Sequence, residues 1–364
     1  MPFNLKAPDY IYKIKPYVPG KPIEELEREK GIKDIVKLAS NENPLGPSPM
    51  AVEAIKSYLS NINRYPDGSG FYLKNKLSHF FNLSADSFIL GNGSNELIDI
   101  AVRTFCDKNN NIIAPFPSFV AYYLAAEQLG IPLKIVGLKD YKIDLDLIAD
   151  LIDNDTKAVF ISNPNNPTGT YLPAAAIKEF IDNVRDDIFI IVDEAYVEYL
   201  GESILDALSP YESQNVLVLR TFSKVYGLAG IRIGYGIGCK ELINLMDRVR
   251  EPFNVSSIAM VAAKAALDDI NYVKNVVDTN ESEKKYLYNA FKKLNIYFVK
   301  TGANFILIGL KNKKAIEIYE ELLNKGVIVR PMDRFGYENM IRVTIGTHIE
   351  NLKLIEGLSL LVSS

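Results

Sequence analysis

The chain predicts an α/β fold: a mostly parallel central sheet flanked by helices, followed by a smaller α+β domain. Three observations lead there. Between about residues 71 and 265, short β-branched runs, apolar almost throughout, alternate with stretches of helical period, as strands buried on both faces alternate with the helices that cover them. After about residue 265 the pattern changes to one long polar helix followed by shorter strands and helices. The length of 364 residues also exceeds the size at which a single core keeps growing, so two lobes are expected.

Residues 1–39 read as an arm belonging to the small lobe or to a dimer contact. Pro2, Pro8, Pro16, Pro19 and Pro22 prevent a continuous early helix, and only 23–30 reads as a short polar one. Pro44, Pro47 and Pro49 mark a second irregular stretch before a helix at about 50–60. Residues 40–265 form the predicted large domain. Its strands are placed at 87–90, 112–114, 133–136, 158–162, 189–193 and 216–221, with helices at 96–105, 119–129 and 174–184 between them. Residues 266–364 form the predicted small domain, with a long helix at 272–294. Strands at 296–300 and 304–310, a helix at 313–324, strands at 327–331 and 341–345, and a last helix at 349–361 follow.

Composition narrows the chemistry. Charged residues make up 24% and hydrophobic ones 48%, ordinary usage for a soluble globular protein, and the formal charge of −4 argues against a broad nucleic-acid surface. A local basic patch, such as a phosphorylated substrate needs, is compatible with that total. Cys106 and Cys239 are the only cysteines, and His79 and His348 the only histidines. Neither a disulfide framework, a zinc site nor a histidine-based triad has the material it needs. The N-terminus lacks the apolar run of a signal peptide, and no segment approaches the roughly 20 apolar residues of a membrane span, so a cytoplasmic location is expected.

The most informative stretch is Thr221-Phe-Ser-Lys-Val-Tyr-Gly-Leu-Ala-Gly-Ile-Arg232. It sets the amine of Lys224 beside the hydroxyl of Ser223, with the fork donor Arg232 downstream. A lysine becomes a nucleophile when burial and nearby cations lower its pKa. Asp193 closes the apolar run Phe-Ile-Ile-Val; a carboxylate there is costly unless paired, and a pyridinium nitrogen is a suitable partner. A helix cap or a structural ion pair is the plainer explanation. Tyr196 lies three residues on, one tyrosine among 21. Asn166 sits in Ser-Asn-Pro-Asn-Asn-Pro-Thr-Gly after a predicted strand, where open α/β sheets bind ligands. Gly91-Asn-Gly-Ser-Asn-Glu joins a strand to a helix and could present the backbone at Ser94 and Asn95 to an anion, although an ordinary capped helix explains it as well. Phe119 could stack on a flat ring or simply fill the core. Arg330 and Arg342 lie in or beside apolar strands and suit a carboxylate or phosphate, structural salt bridges being the alternative. Schiff-base amine, carboxylate, phenol and phosphate cradle together are what a pyridoxal phosphate site requires.

These segments resemble the fold-type-I pyridoxal phosphate enzymes and, within them, the histidinol-phosphate aminotransferases. The likeness runs through Lys15-Pro-Tyr-Val-Pro-Gly-Lys21, Lys37-Leu-Ala-Ser-Asn-Glu-Asn-Pro-Leu-Gly46, Arg64-Tyr-Pro-Asp67 and Ile341-Arg-Val-Thr-Ile-Gly-Thr347. It implies that Lys224 bonds to pyridoxal 5′-phosphate as a Schiff base and moves the substrate proton. Asp193 would pair with the ring nitrogen, and Asn166 and Tyr196 would contact O3′. Ser223, Arg232 and the backbone at Ser94–Asn95 would bind the phosphate, with Tyr65 reaching it from the neighbouring subunit of a homodimer. Arg342 would clamp the carboxylate of glutamate, while Tyr17 and Arg330 would bind the phosphate of histidinol phosphate. The implied reaction is transamination between histidinol phosphate and 2-oxoglutarate in histidine biosynthesis, giving imidazole acetol phosphate and glutamate. A cis bond at Asn166–Pro167 is also implied. Phe119 stands where many such enzymes carry tyrosine, which keeps stacking and loses a hydroxyl. An aromatic amino acid aminotransferase, a threonine-phosphate decarboxylase and a non-catalytic regulatory module remain as alternatives.

Overall fold

The computed structural model describes residues 5–16, 20–206, 215–310 and 313–362. A two-residue strand β1 (Val36–Lys37) precedes the main sheet, whose strands are β2 (Phe88–Gly91), β3 (Asn111–Phe116), β4 (Leu133–Gly137), β5 (Thr156–Ser162), β6 (Phe189–Asp193), β7 (Val216–Thr221) and β8 (Gly234–Ile237). Their order is β2-β8-β7-β6-β5-β3-β4. Pairing is parallel from β7 through β4, and only β8 runs antiparallel to its neighbours. The continuous apolarity of β6 and β7 has the predicted cause: every residue of both is buried, because the two main hydrophobic clusters lie on opposite faces of the sheet.

The sequence reading misses β8. Its residues are Gly-Tyr-Gly-Ile, and glycine is a weak strand former. The spacing nevertheless requires glycine there: a Cβ on Gly234 would come within 2.5 Å of the backbone nitrogen of Ser94. The helices Phe71–Phe81, Lys240–Asp247 and Ser257–Ala266 are also additional to the prediction.

The smaller lobe contains β9 (Tyr297–Phe298), β10 (Phe305–Gly309), β11 (Val327–Ile328), β12 (Arg330–Pro331) and β13 (Met340–Thr344). β12, β13, β10 and β9 form one antiparallel sheet, covered by the helices Ile270–Lys293, Ala315–Asn324 and His348–Val362. The single strand predicted at 327–331 is in fact two: β11 pairs in parallel with β1, while β12 pairs with β13. The arm therefore packs on this lobe, and Leu26 of the helix Ile23–Lys30 clusters with Leu323 and Ile328. Among the described residues, no helix is long and apolar enough to cross a membrane.

Candidate active site

At the carboxyl ends of the parallel strands, a cavity of about 380 Å³ collects residues that are far apart in the chain, where open α/β sheets place ligands. Asp193 ends β6, Ser223 and Lys224 follow β7, Asn166 follows β5, Phe119 follows β3, and Ser94 and Asn95 follow β2. Arg232 precedes β8, and the small lobe contributes Arg330 and Arg342. All of these residues and Tyr196 line the one cavity.

Asp193 is 4% exposed. Its Oδ2 accepts from the phenol of Tyr122 at 2.8 Å and its Oδ1 from the Ala195 N–H at 3.1 Å. Both donors are neutral, and Asp193 has no ion-pair partner among the described residues. Burial pushes its carboxyl up to about 6, against the pull of those two hydrogen bonds. Lys224 is shifted the other way. Burial, with repulsion from Arg342 and Arg232, lowers its amine to about 8. Its Nζ donates to the Ser40 carbonyl at 3.3 Å and lies 5.5 Å from the centre of the Tyr196 ring.

The anion cradle is built from backbone. Helix Ser94–Phe105 starts after Gly93, which has no side chain to cap it, so its first-turn N–H groups point toward the cavity end. Gly93 adopts φ +79, a conformation glycine takes without strain, and the end of the Arg232 side chain packs over it. Arg232 itself sits at φ 57 and donates through Nη1 to Ala229 O at 3.1 Å and Ser223 Oγ at 3.5 Å.

On the opposite wall, Arg342 donates to Asn166 Oδ1 at 2.5 Å and to the Ala39 carbonyl at 2.6 Å, and its guanidinium lies 5.3 Å from the Phe305 ring centre. The loop carrying Asn166 shows which asparagine faces the cavity. Asn163 exchanges hydrogen bonds with the backbone of Leu172, and Asn165 is tied to Ser118, Pro117 and Thr168, so both are spent on the loop. The implied cis bond at Asn166–Pro167 is not found. Cis bonds occur instead at Asn163–Pro164 and Phe116–Pro117.

Phe119 meets Tyr122 edge-on at 5.8 Å. Tyr65 does not line the cavity of its own chain; it is 84% exposed and stacks on Phe253 at 5.2 Å. Tyr17 lies outside the described residues. The sequence reading misses two contributors. Tyr122, which bonds Asp193, is fully buried and stacked on Phe160 at 4.5 Å; in the sequence it is one apolar position of a helix. Asn41 donates to the Tyr196 phenol at 2.9 Å, a contact across 155 residues that no local pattern announces.

The residues present fit pyridoxal phosphate. Asp193 is a buried carboxylate without a cation, Lys224 an amine partly freed of its proton, and Ser94, Ser223 and Arg232 form an anion cradle in which glycines leave no room for side chains. A second cavity of about 540 Å³ adjoins the first, sharing Val120, Arg330 and Phe335 and adding Lys15, Phe116, Tyr123 and Arg334. Among the described residues, no group of histidine, cysteine or acidic side chains is arranged to hold a metal.

Residues 33–358 match the family described as aminotransferase class I and II. The histidinol-phosphate aminotransferase of Moorella thermoacetica is 44% identical over 356 residues, 97% of this chain and 92% of that protein. The enzyme of that name from Desulfotalea psychrophila is 41% identical over 98% of this chain and 95% of its own length. The crystal structure of histidinol-phosphate aminotransferase from Sinorhizobium meliloti in complex with pyridoxal-5′-phosphate superposes with a TM-score of 0.87 at 27% identity, covering 98% of this chain and 97% of that one. The chain belongs to the class I and II aminotransferases, in the histidinol-phosphate aminotransferase family.

Proposed function

We propose that this chain is a pyridoxal 5′-phosphate-dependent aminotransferase acting between histidinol phosphate and 2-oxoglutarate, in histidine biosynthesis. The observation that carries the reading is the pairing of two cavities: one holds Lys224 opposite an unpaired Asp193, the other holds cations and aromatic rings beside it. The chemistry supplied by the bound cofactor is an aldehyde that takes up an amino group and a ring that accepts the electron pair released at the substrate α-carbon.

Asp193 would face the ring nitrogen with a buried negative charge and favour its protonated form, and Tyr122 and Ala195 hold that carboxylate in place. Asn166 and Tyr196 would contact the ring's phenolic oxygen. Ser223, Arg232 and the backbone at Ser94–Asn95 would hold the phosphate, and Phe119 would lie against the ring. Lys224 would hold the cofactor through its aldehyde, and its amine would carry the proton to and from the substrate α-carbon. An amine held at about 8 is neutral in about a tenth of molecules at pH 7, against well under a thousandth for an ordinary lysine. Arg342 binds the carboxylate of glutamate or 2-oxoglutarate with its planar fork. Arg330 and Tyr17 bind the phosphate of the other substrate, and Lys15 and Arg334, which have no ion-pair partner among the described residues, line its approach.

The aromatic walls Phe116, Tyr123 and Phe335 also suit an unphosphorylated aromatic amino acid, so the test is a rate comparison. The purified enzyme is given histidinol phosphate, phenylalanine and tyrosine with 2-oxoglutarate. The largest kcat/KM is expected with histidinol phosphate; equal or faster turnover of the unphosphorylated acids defeats the proposed substrate.

A homodimer is part of this reading. Leu59, Ile62, Tyr65, Phe71 and Tyr72 are exposed together along one stretch of chain, an apolar surface that suits a second copy, and Tyr65 would then complete the partner's phosphate cradle. We place the arm at 1–39, the large domain at 40–265 and the small one at 266–364; the pairing of β1 with β11 supports joining the arm to the small domain. The reaction needs only small cytoplasmic metabolites, which agrees with a cytoplasmic location and calls for no nucleic-acid or membrane partner.

A further inference from the structure

The phenol of Tyr196 has one proton to give, and its surroundings restrict where that proton can go. Asn41 Nδ2 donates to Tyr196 Oη at 2.9 Å, so the phenol oxygen is the acceptor in that bond. The amide of Asn41 is held in this sense by its other end, where Thr344 Oγ1 lies 3.4 Å from Oδ1 as its donor. The backbone is held as well: Asn41 N–H donates to Thr344 Oγ1 at 3.0 Å, and the Asn41 carbonyl accepts from Asn304 Nδ2 at 3.1 Å. Asn41 is 1% exposed and adopts φ 56, a left-handed conformation that asparagine accepts more readily than most residues. Both Asn41 and Tyr196 line the cavity, and the Tyr196 ring is fixed edge-on against Phe305 at 5.1 Å.

We infer that Asn41 is a positioning residue. By donating to Tyr196 Oη it satisfies the phenol as an acceptor and leaves the Tyr196 O–H free to donate into the cavity, toward the phenolic oxygen of the cofactor. Without Asn41 the hydroxyl can turn to other acceptors, and the cofactor oxygen loses a dedicated donor. The inference rests on the reading above that Tyr196 contacts that oxygen. It adds that the donor direction is set by a residue from the segment after β1, tied in turn to Thr344 of β13 and to Asn304 ahead of β10.

The test uses Asn41→Gly, which keeps the left-handed backbone and removes the donor, Asn41→Ala, which also strains the backbone, and Tyr196→Phe, alone and combined with Asn41→Gly. The readouts are the pH midpoint of the visible absorbance of the cofactor-bound enzyme without substrate, and the cofactor dissociation constant. A donor at the phenolic oxygen stabilises negative charge there, so its loss leaves the neighbouring lysine-linked nitrogen holding its proton more tightly. Tyr196→Phe is therefore expected to raise the midpoint. Asn41→Gly should raise it by roughly 0.4–1 unit and weaken cofactor binding roughly 2–10-fold, the scale of one net hydrogen bond. Asn41→Ala should give the same midpoint despite a lower melting temperature, and Asn41→Gly should add nothing in the Tyr196→Phe background. A midpoint that Tyr196→Phe moves and Asn41→Gly does not overturns the inference. So does a shift that tracks melting temperature or persists without the Tyr196 hydroxyl. If Tyr196→Phe itself leaves the midpoint in place, the assignment of Tyr196 is what fails, and the role of Asn41 falls with it.

Discussion

Asp193 and Glu194 are consecutive buried carboxylates at the end of β6, and the molecule uses them in opposite ways. Glu194 Oε2 accepts from Arg220 Nε and Nη2 at 3.0 and 2.9 Å, both its oxygens accept from Ser203 Oγ, and Oε1 takes the Ile204 N–H at 2.7 Å. It is a saturated charge that ties β6 to β7 and to the following loop. Asp193 has two neutral donors and no cation, and it opens onto the cavity. The difference teaches that a buried charge with every lone pair answered serves the fold, whereas one left short of an opposite charge awaits a ligand. The two arginines differ in place as well: Arg220 is enclosed with Glu194, whereas Arg342 lines the cavity.

The largest expected effect falls on Lys224, the cavity's nucleophile. Lys224→Ala should lower turnover on the order of 10⁴-fold or more, because the bond to the cofactor and a proton transfer each contribute; single-turnover absorbance kinetics with glutamate measure it. Near-normal turnover would place the chemistry elsewhere.

Asp193→Asn and Glu194→Gln break the comparison apart. Asp193→Asn is expected to cut kcat about 10²–10⁴-fold while leaving the cofactor-free protein as stable or more so. Because the folded carboxyl is raised to about 6, the folded state holds its proton more tightly than the unfolded chain, whose value is near 3.8. That contribution is fully present below about pH 4 and is lost as pH rises through 6, leaving a cost of about 3 kcal/mol above it. Denaturant unfolding of wild type and Asp193→Asn should therefore agree below about pH 4, diverge between pH 4 and 6 in favour of the variant, and stay apart by a constant amount above pH 6. Glu194→Gln leaves Arg220 buried without its charge partner and should cost about 3–5 kcal/mol at neutral pH. Equal stability losses in the two variants would erase the distinction.

A smaller effect sharpens the second contrast. Arg342→Gln should raise KM for glutamate roughly 10–100-fold, the loss of one or two charge-assisted hydrogen bonds, with a smaller loss of stability than Glu194→Gln from its bonds to Asn166 and the Ala39 carbonyl. Smallest of all, Arg334→Ala should lower kcat/KM for histidinol phosphate less than about 10-fold at low salt and reduce its salt dependence, since an exposed cation at the approach acts mainly through long-range attraction. An unchanged salt slope would remove Arg334 from the substrate's path.

Much of this was legible in the sequence because it is carried by local pattern. β6 and β7 coincide with apolar runs that end where the cavity begins, and Asp193 and Lys224 stand at or just beyond those ends. What stayed hidden depends on contacts between distant segments. Asn166 was named from the sequence, but the reason that it rather than Asn163 or Asn165 turns to the cavity was not legible, because the choice is made by Leu172, Thr168 and Arg342. β8 was missed because closeness to Ser94 demands glycine where a strand signal demands branched side chains. Tyr122 and Asn41 were missed because their partners lie 71 and 155 residues away. Tyr65, singled out through the family likeness, is exposed and outside its own cavity, so its part is a matter for the dimer.

Reduction of the cofactor-loaded enzyme with borohydride, followed by peptide mapping, bears most directly on the central claim. The stable adduct is expected on the peptide carrying Lys224, with loss of visible absorbance and of activity in step. A label on any other lysine, or none with cofactor at saturation, would contradict the account.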